Sequence, residues 1–354
     1  MSIADEQRVS ASGATTAQSA SQPDAYSPQV IRKLNALTSD FYAREAASFS
    51  ATRQAPWHGW EKAWELITAP DAAQGPFPSH AAVRDSLSSR AARIPDDYAS
   101  NSKDSLAVLD LGCGNLRFER FLAERTNAPL RVTALDNCPD LASPEIGALS
   151  AAFPHSLRSS SAASKTKEED ASGQGANPPE KTIVDLRALD IVESLLDGTF
   201  ADRLPRNSHD LAVAFGLMHH LPTFALRARV LEGILGSLRP GGFAVVSFWQ
   251  SLNDPRLAAK AATVTAEGRA AHCLPTFQEN DFLLGWQHAE GTYRFCHHTP
   301  EDEIDALLAA IREPSAPSTS GCAPPAPLPF REIARFSADG KLGNLNRYLI
   351  LQRL

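Results

Sequence analysis

No stretch of the chain is apolar for the roughly 18 to 20 residues that a membrane-spanning helix needs, and its longest apolar runs, such as 243–249, are strand-sized. The first residues, MSIADEQRVSASG, lack both the basic start and the apolar core of a secretory signal. The sequence therefore predicts a soluble cytoplasmic protein with no membrane role. Cysteine is scarce: residues 113, 138, 273, 296 and 322 are five, an odd number with no C-x-x-C pair. That argues against a structural zinc cage and a disulfide framework. Basic charge is short as well, 34 Lys and Arg against 41 Asp and Glu, so the formal net charge of −7 has the wrong sign for holding nucleic acid by bulk field. A nucleic-acid role would need a local basic patch or a partner. Gly (20) and Pro (25) are at ordinary levels, which excludes a collagenous or wholly low-complexity chain.

What is present is enough for a full core: 43% of the 354 residues are hydrophobic and 21% charged. Residues 1–27 are almost devoid of apolar side chains and read as a disordered tail. In 28–100, Val30, Leu34, Leu37 and Phe41 fall at helical spacing, and Trp57, Trp60 and Trp64 form a second stripe. These suggest an N-terminal helix pair, packed on a core or acting as a lid over a ligand pocket. Residues 101–354 form the main domain, interrupted by polar or Pro/Ser-rich segments at 156–181 and 313–329 that read as disordered insertions.

Within that domain short apolar strands alternate with helices. Strands are expected at 106–110, 131–135, 182–186, 210–215 and 242–249; one intervening helix carries Phe118, Phe121 and Leu122, another Val230, Leu231, Ile234 and Leu235. Continuous apolar strands separated by helices predict an α/β fold with a mostly parallel sheet covered on both faces. Thr299 reads as the N-cap of a helix burying Ile304, Leu307, Leu308 and Ile311. Two last strands, 330–336 and 345–351, joined through the Asp339-Gly340 turn, predict a closing antiparallel hairpin. Residues 252–292 have no place in the alternation and are the expected substrate-facing insertion.

The sharpest local signal is Asp110-Leu111-Gly112-Cys113-Gly114-Asn115, between the first strand and its helix. Glycines there let backbone approach a ligand at a helix N-terminus with free N–H donors. A dinucleotide fingerprint would want a third glycine at 117, where this chain has Arg117. Asp136 ends the second strand about 20 residues on, where a carboxylate can accept both ribose hydroxyls; Asp190 follows the third strand and could accept from an adenine amino group. His219-His220 raises the question of a metal, but no third ligand lies at helical spacing and none is expected. His297 and His298 should alternate across a strand, leaving one outward.

DLGCGN at 110–115, Asp136, Asp190-Ile191, the fourth strand with GLMHHL, and LRPGG at 238–242 resemble, in order, the class I S-adenosylmethionine-dependent methyltransferases. The resemblance implies a Rossmann-like fold with a seven-stranded sheet and the cofactor S-adenosyl-L-methionine. It places Asp110, Gly112, Gly114 and Asn115 at the methionine part, Asp136 with Asn137 at the ribose, and Asp190 with Ile191 at the adenine. Met218 and His219 would sit where the reacting groups meet. FYAREAASFSATRQAPWHGW (41–60), Arg227, Arg229, YRFCH (293–297), Glu303-Ile304 and Asn346-Arg347-Tyr348 are further similar to the tRNA wobble-uridine carboxyl methyltransferases. That likeness implies a tRNA acceptor, a lid bearing Arg53 and Trp57, and a small zinc-binding activator protein as partner. The loop departs from the family at Leu116, where a third glycine is usual. Arg227, Arg229 and Arg294 are weaker candidates for phosphate or carboxylate contacts. The same cofactor positions would serve a methyltransferase of a small carboxylic acid, which the −7 charge favours, or an inactive cofactor-binding scaffold.

Overall fold

The computed structural model describes residues 26–68, 105–126, 128–142, 157–159, 182–286, 291–313 and 328–354. The expected tail up to residue 25, residues 69–100 of the lid segment, and 160–181 and 314–327 of the two insertions lie outside the described residues.

Two helices come first, α1 (Pro28–Ala51) and α2 (His58–Thr68). There follow β1 (Leu106–Leu111), α3 (Arg117–Arg125), β2 (Leu130–Asp136), the short β3 (Leu157–Ser159), β4 (Thr182–Ala188), α4 (Ile191–Leu196) and α5 (Phe200–Arg203). Next are β5 (His209–Ala214), α6 (Phe224–Ser237), β6 (Leu238–Trp249) and α7 (Pro255–Ala271). The chain closes with β7 (Asp281–Leu284), β8 (Arg294–His297), α8 (Glu301–Arg312), β9 (Phe330–Ala338) and β10 (Asn346–Arg353).

The main sheet has the order β3-β4-β2-β1-β5-β6-β10-β9. Every pair from β3 to β6 is parallel, and β10 runs antiparallel to both β6 and β9. This is the expected Rossmann-like α/β arrangement: seven strands, mostly parallel, with a closing antiparallel hairpin, to which the three-residue β3 adds an edge. A separate antiparallel pair joins β7 to β8.

The continuous apolar strands follow from burial on both faces. Leu109 and Leu111 pack with Ala212, Ala214, α6 and α8 on one side; Val108 and Val213 pack with Trp60 of α2 and Phe118 and Phe121 of α3 on the other. That split is the period-2 alternation of strand side chains. Gly59 lets α2 lie against the sheet, since a Cβ there would sit 2.1 Å from the Tyr348 ring. Asp339 anchors the same contact, accepting from Gly59 N at 3.1 Å, Asn346 Nδ2 at 2.8 Å and Tyr348 Oη at 2.6 Å.

Several local expectations shift. Tyr26, placed in the tail by composition, is buried; its ring edge meets Phe277 and its hydroxyl donates to Asp281 at 2.8 Å. Ser27 then caps α1, its side chain accepting from Val30 N, with Pro28 in the first turn. LRPGG is part of β6 rather than a turn before it, and the pairing with β5 shifts register there, at Gly241 with φ 87°. The N-terminal residue of α8 is preceded by Pro300 as N-cap, so Thr299 makes no cap. Neither His297 nor His298 points outward; both are buried, His298 accepting from Leu252 N. Among the described residues no helix is long and apolar enough to cross a membrane.

Candidate cofactor and acceptor cavity

At the carboxyl ends of the parallel strands lies a cavity of about 410 Å³, lined by the glycine loop, the β2 and β4 ends, α1, the 52–57 linker and Arg294 of β8. Its position is the one at which open α/β sheets bind ligands. The loop starts with Gly112 (φ 75°) and Gly114 (φ 55°), left-handed positions that favour glycine. A Cβ on Gly114 would meet nothing within 4 Å, so the space beside it belongs to the cavity. Leu116 is also left-handed, at φ 55°, and takes the N-cap position of α3 with its side chain wholly buried.

Asp136 closes the loop: Oδ2 accepts from Gly114 N at 2.8 Å and Oδ1 from Cys138 N at 2.7 Å. Each oxygen keeps a second lone pair for a ligand hydroxyl. Burial raises its carboxyl above the usual range, against the lowering effect of these backbone donors. Asp190 caps α4 through Glu193 N at 2.9 Å and also accepts from Asn35 Nδ2 at 2.8 Å and Asn137 Nδ2 at 3.3 Å. Asn137 in turn donates to Ser39 Oγ at 2.8 Å. Ile191 lines the same wall. Asn35 and Ser39 carried no motif in the sequence; they reach the site only because α1 crosses the strand ends.

Three side chains of the loop and α3 pin the linker between α1 and α2. Asn115 donates to the carbonyl of Arg53 at 3.0 Å, Arg120 to Gln54 at 2.8 Å and Arg117 to Ala55 at 3.0 Å. Arg117, where a dinucleotide loop would have glycine, also lies over the rings of Trp57 and Trp60. The linker therefore holds Arg53 and Trp57 against the glycine loop, and Trp57 lines the cavity while Trp60 enters the core. The helix pair is both core and cover.

The other end of the cavity is cationic and aromatic. The Arg53 guanidinium lies 3.8 Å from the Phe49 centroid and 4.7 Å from that of Trp286, and burial lowers its pKa to about 10. Arg294 is 6% exposed, lies 4.5 Å from the Phe41 centroid, and has a buried Nη1 without a hydrogen-bond partner. Among the described residues neither guanidinium has a carboxylate partner. His219 faces this end against Trp249, its Nδ1 also unpartnered, and burial, reinforced by His220 and Arg294, holds it neutral. Tyr42 Oη and His220 Nε2 are 2.9 Å apart and His220 Nδ1 is 2.7 Å from the carbonyl of Phe295. This fixes the tautomer: Nδ1–H donates to Phe295, and Nε2 accepts from Tyr42. Burial lowers the His220 pKa to about 3 and pushes the Tyr42 phenol up to about 12.

Met218 does not reach the reacting centre, contrary to the sequence expectation. It is 0% exposed and packs in the core between α6 and the sheet; the short turn Met218–His220 directs alternate side chains inward and toward the cavity. Arg227 is spent on Glu303 at 2.7 Å, and Arg229 donates to the carbonyl of Leu195, so of the three weaker arginines only Arg294 enters the cavity. No described residue of 252–292 lines the cavity, and Trp286 touches it only through Arg53; the wall expected from that insertion comes from α1 instead. Folding does bring Cys296 within 4.8 Å of His219 and His220. Both His220 nitrogens are committed to Tyr42 and Phe295 and burial pushes the Cys296 thiol up to about 12, while His219 Nδ1 is without a partner.

No protein-family model and no curated protein matches the chain. Among solved structures it is similar to an S-adenosylmethionine-dependent methyltransferase from Methanosarcina mazei, at 17% identity and TM-score 0.41 over 70% of this chain and 92% of that one. A protein from Pyrococcus horikoshii gives 11% and 0.43, over 84% of this chain and 100% of that one. The 1,6-didemethyltoxoflavin-N1-methyltransferase of Burkholderia thailandensis, with its substrate and S-adenosylhomocysteine bound, gives 16% and 0.39 over 88% of each chain.

Proposed function

We propose that the chain is an S-adenosyl-L-methionine-dependent methyltransferase whose acceptor is a carboxylate. The observation that carries this reading is the pair of guanidinium groups lining the cavity, half-buried Arg53 and buried Arg294, that meet no carboxylate among the described residues. A desolvated, unpaired cation is costly, and an anionic acceptor would supply the missing charge. The cofactor half also fits: Gly112 and Gly114 leave a bare cradle, Asp110 Oδ1 is buried without a partner, and Asp136 and Asp190 offer acceptors along one wall.

The cofactor, when bound, supplies an electrophilic methyl group on a sulfonium. Gly112, Gly114, Asp136 and Asp190 would hold it, and Arg53 and Arg294 would orient the acceptor oxygen toward it. As the oxygen–methyl bond forms the carbon–sulfur bond breaks, leaving an ester and a neutral thioether. A carboxylate is already ionised at neutral pH, so no base is needed. Neutral His219 and His220 and a strongly protonated Tyr42 suit that requirement. Positioning of this kind can contribute about 7 to 11 kcal/mol to lowering a barrier.

The 41–60 segment favours a carboxymethylated wobble uridine of tRNA as the acceptor, delivered in the cytoplasm with help from a small zinc-binding activator that offsets the −7 charge. A small carboxylic acid is the second reading, favoured by that same charge. The test is methyl-labelled cofactor offered with tRNA, with and without an activator, and with a panel of small acids. Label in tRNA that base releases as methanol supports the first reading; base-labile label only in a small acid supports the second. Base-stable label in either would overturn a carboxylate acceptor.

A further inference from the structure

Behind the glycine loop lies a second uncompensated group, of the opposite sign. Asp110 at the end of β1 and Glu119 in the first turn of α3 are 2% and 1% exposed. Among the described residues, Asp110 Oδ1 and both Glu119 oxygens are buried without a well-formed hydrogen bond, the Glu119 backbone N–H alone lying near enough to favour its carboxylate. Two adjoining carboxylates in such surroundings cannot both be ionised. A proton shared between Asp110 Oδ1 and one Glu119 oxygen gives those two atoms a partner, and burial accordingly raises both carboxyls.

The groups that face the pair sharpen the point. Asp136 on β2 adds a third negative charge, and the Cys113 thiol in the loop is held protonated by burial and by these acids. Arg117, on the same turn as Glu119, sends its guanidinium to the Ala55 carbonyl and the Trp57 and Trp60 rings. Asp110 lines the cavity although its unpartnered Oδ1 is itself buried, so it is the member of the pair next to a ligand.

We propose that Asp110 and Glu119 are a proton-sharing pair, that Asp110 receives the ammonium of the cofactor's amino-acid end, and that cofactor binding expels the shared proton to solvent. The inference rests on the S-adenosylmethionine reading. The ligand's ammonium takes the place of the proton: the O–H bond of the carboxyl breaks, the proton leaves to buffer, and two carboxylates remain, Asp110 beside the ammonium and Glu119 behind Asp110. Glu119, in the first turn of α3 and out of the cavity itself, thereby sets how cofactor affinity depends on pH. By linkage, release of one proton tightens binding up to about tenfold per pH unit.

The test is calorimetric titration of S-adenosylmethionine into the whole protein in two buffers of different ionisation enthalpy, for the wild type and Glu119→Gln. The wild type is expected to release up to one proton and to bind more tightly as pH rises; Glu119→Gln, which can donate to Asp110 permanently, should bind with no proton release and a flat pH profile. Equal release by both proteins, or binding by the wild type without release, overturns the proposal while leaving the cofactor reading intact. Absence of binding in either buffer overturns the cofactor reading and the proposal with it. If Glu119→Gln does not fold, the wild type decides by infrared difference spectroscopy: cofactor must abolish a protonated-carboxyl C=O band, and an unchanged band overturns the proposal.

Discussion

Asp136 accepts the Gly114 N–H at 2.8 Å, so the acid that ends β2 and the glycine loop that follows β1 are one hydrogen-bonded unit across 22 residues of chain. Its other oxygen holds Cys138 N. In Asp136→Asn one of these two N–H groups must face an amide NH2 instead of an acceptor. A buried donor left without a partner costs about 1–3 kcal/mol. The urea midpoint should fall accordingly, and calorimetry should show S-adenosylmethionine affinity at least about tenfold weaker; unchanged values for both would contradict the coupling of loop and acid.

Leu116 sets two opposed effects at one position. Its left-handed backbone costs about 1–2 kcal/mol that glycine would avoid, yet its side chain is 0% exposed in the core beside α3. Emptying a buried leucine site costs about 2–5 kcal/mol. Leu116→Gly should therefore destabilise the protein by about 1–3 kcal/mol in equilibrium urea unfolding. A stabilised variant would show that the strain outweighs the packing.

Arg294→Met should separate stability from function. The substitution removes a buried Nη1 without a partner while keeping much of the contact with Phe41. Relief of an unpaired buried charge exceeds the about 0.5–2 kcal/mol of a cation–ring contact, so the thermal midpoint should hold or rise. Cofactor affinity should stay unchanged and the acceptor KM should rise at least tenfold. A variant with unaltered acceptor kinetics would remove Arg294 from the acceptor site.

Buried neutral histidines make acid destabilising. Burial lowers the His209 pKa to about 4, and His219 and His220 are lowered likewise. Below about pH 6.5 the unfolded chain takes up protons that these folded histidines refuse, so stability falls as pH drops, by about 1.4 kcal/mol per unit for each group. For His209 the loss ends near its folded pKa of about 4. The stability difference between wild type and His209→Gln, followed by urea unfolding from about pH 7 to 4.5, should move against the wild type at that slope. A constant difference would mean that His209 titrates normally in the folded protein.

Much of the glycine loop and the strand-end acids was legible in the chain because their chemistry is local. Gly112 and Gly114 are needed where backbone turns with positive φ, and Asp136 and Asp190 stand one step beyond apolar strands whose parallel arrangement the helix–strand alternation dictates. The closing hairpin follows likewise from Asp339-Gly340 between two apolar runs. For 252–292, exclusion from the alternation says nothing about which face a segment covers; of its described residues Trp286 meets the cavity through Arg53.

The sequence alone determined the strand order's building blocks, the glycine cradle and the acids along one wall, since backbone conformation and strand periodicity depend on near neighbours. Tertiary structure alone decided which side chains meet: Asn35 with Asp190 over 155 residues, His220 with Phe295 over 75, Asn115 with the Arg53 carbonyl over 62. It also took Met218 out of the site and brought Arg294 in. Whether an apolar or charged side chain faces core or cavity depends on which distant helix packs beside it, and no local pattern encodes that.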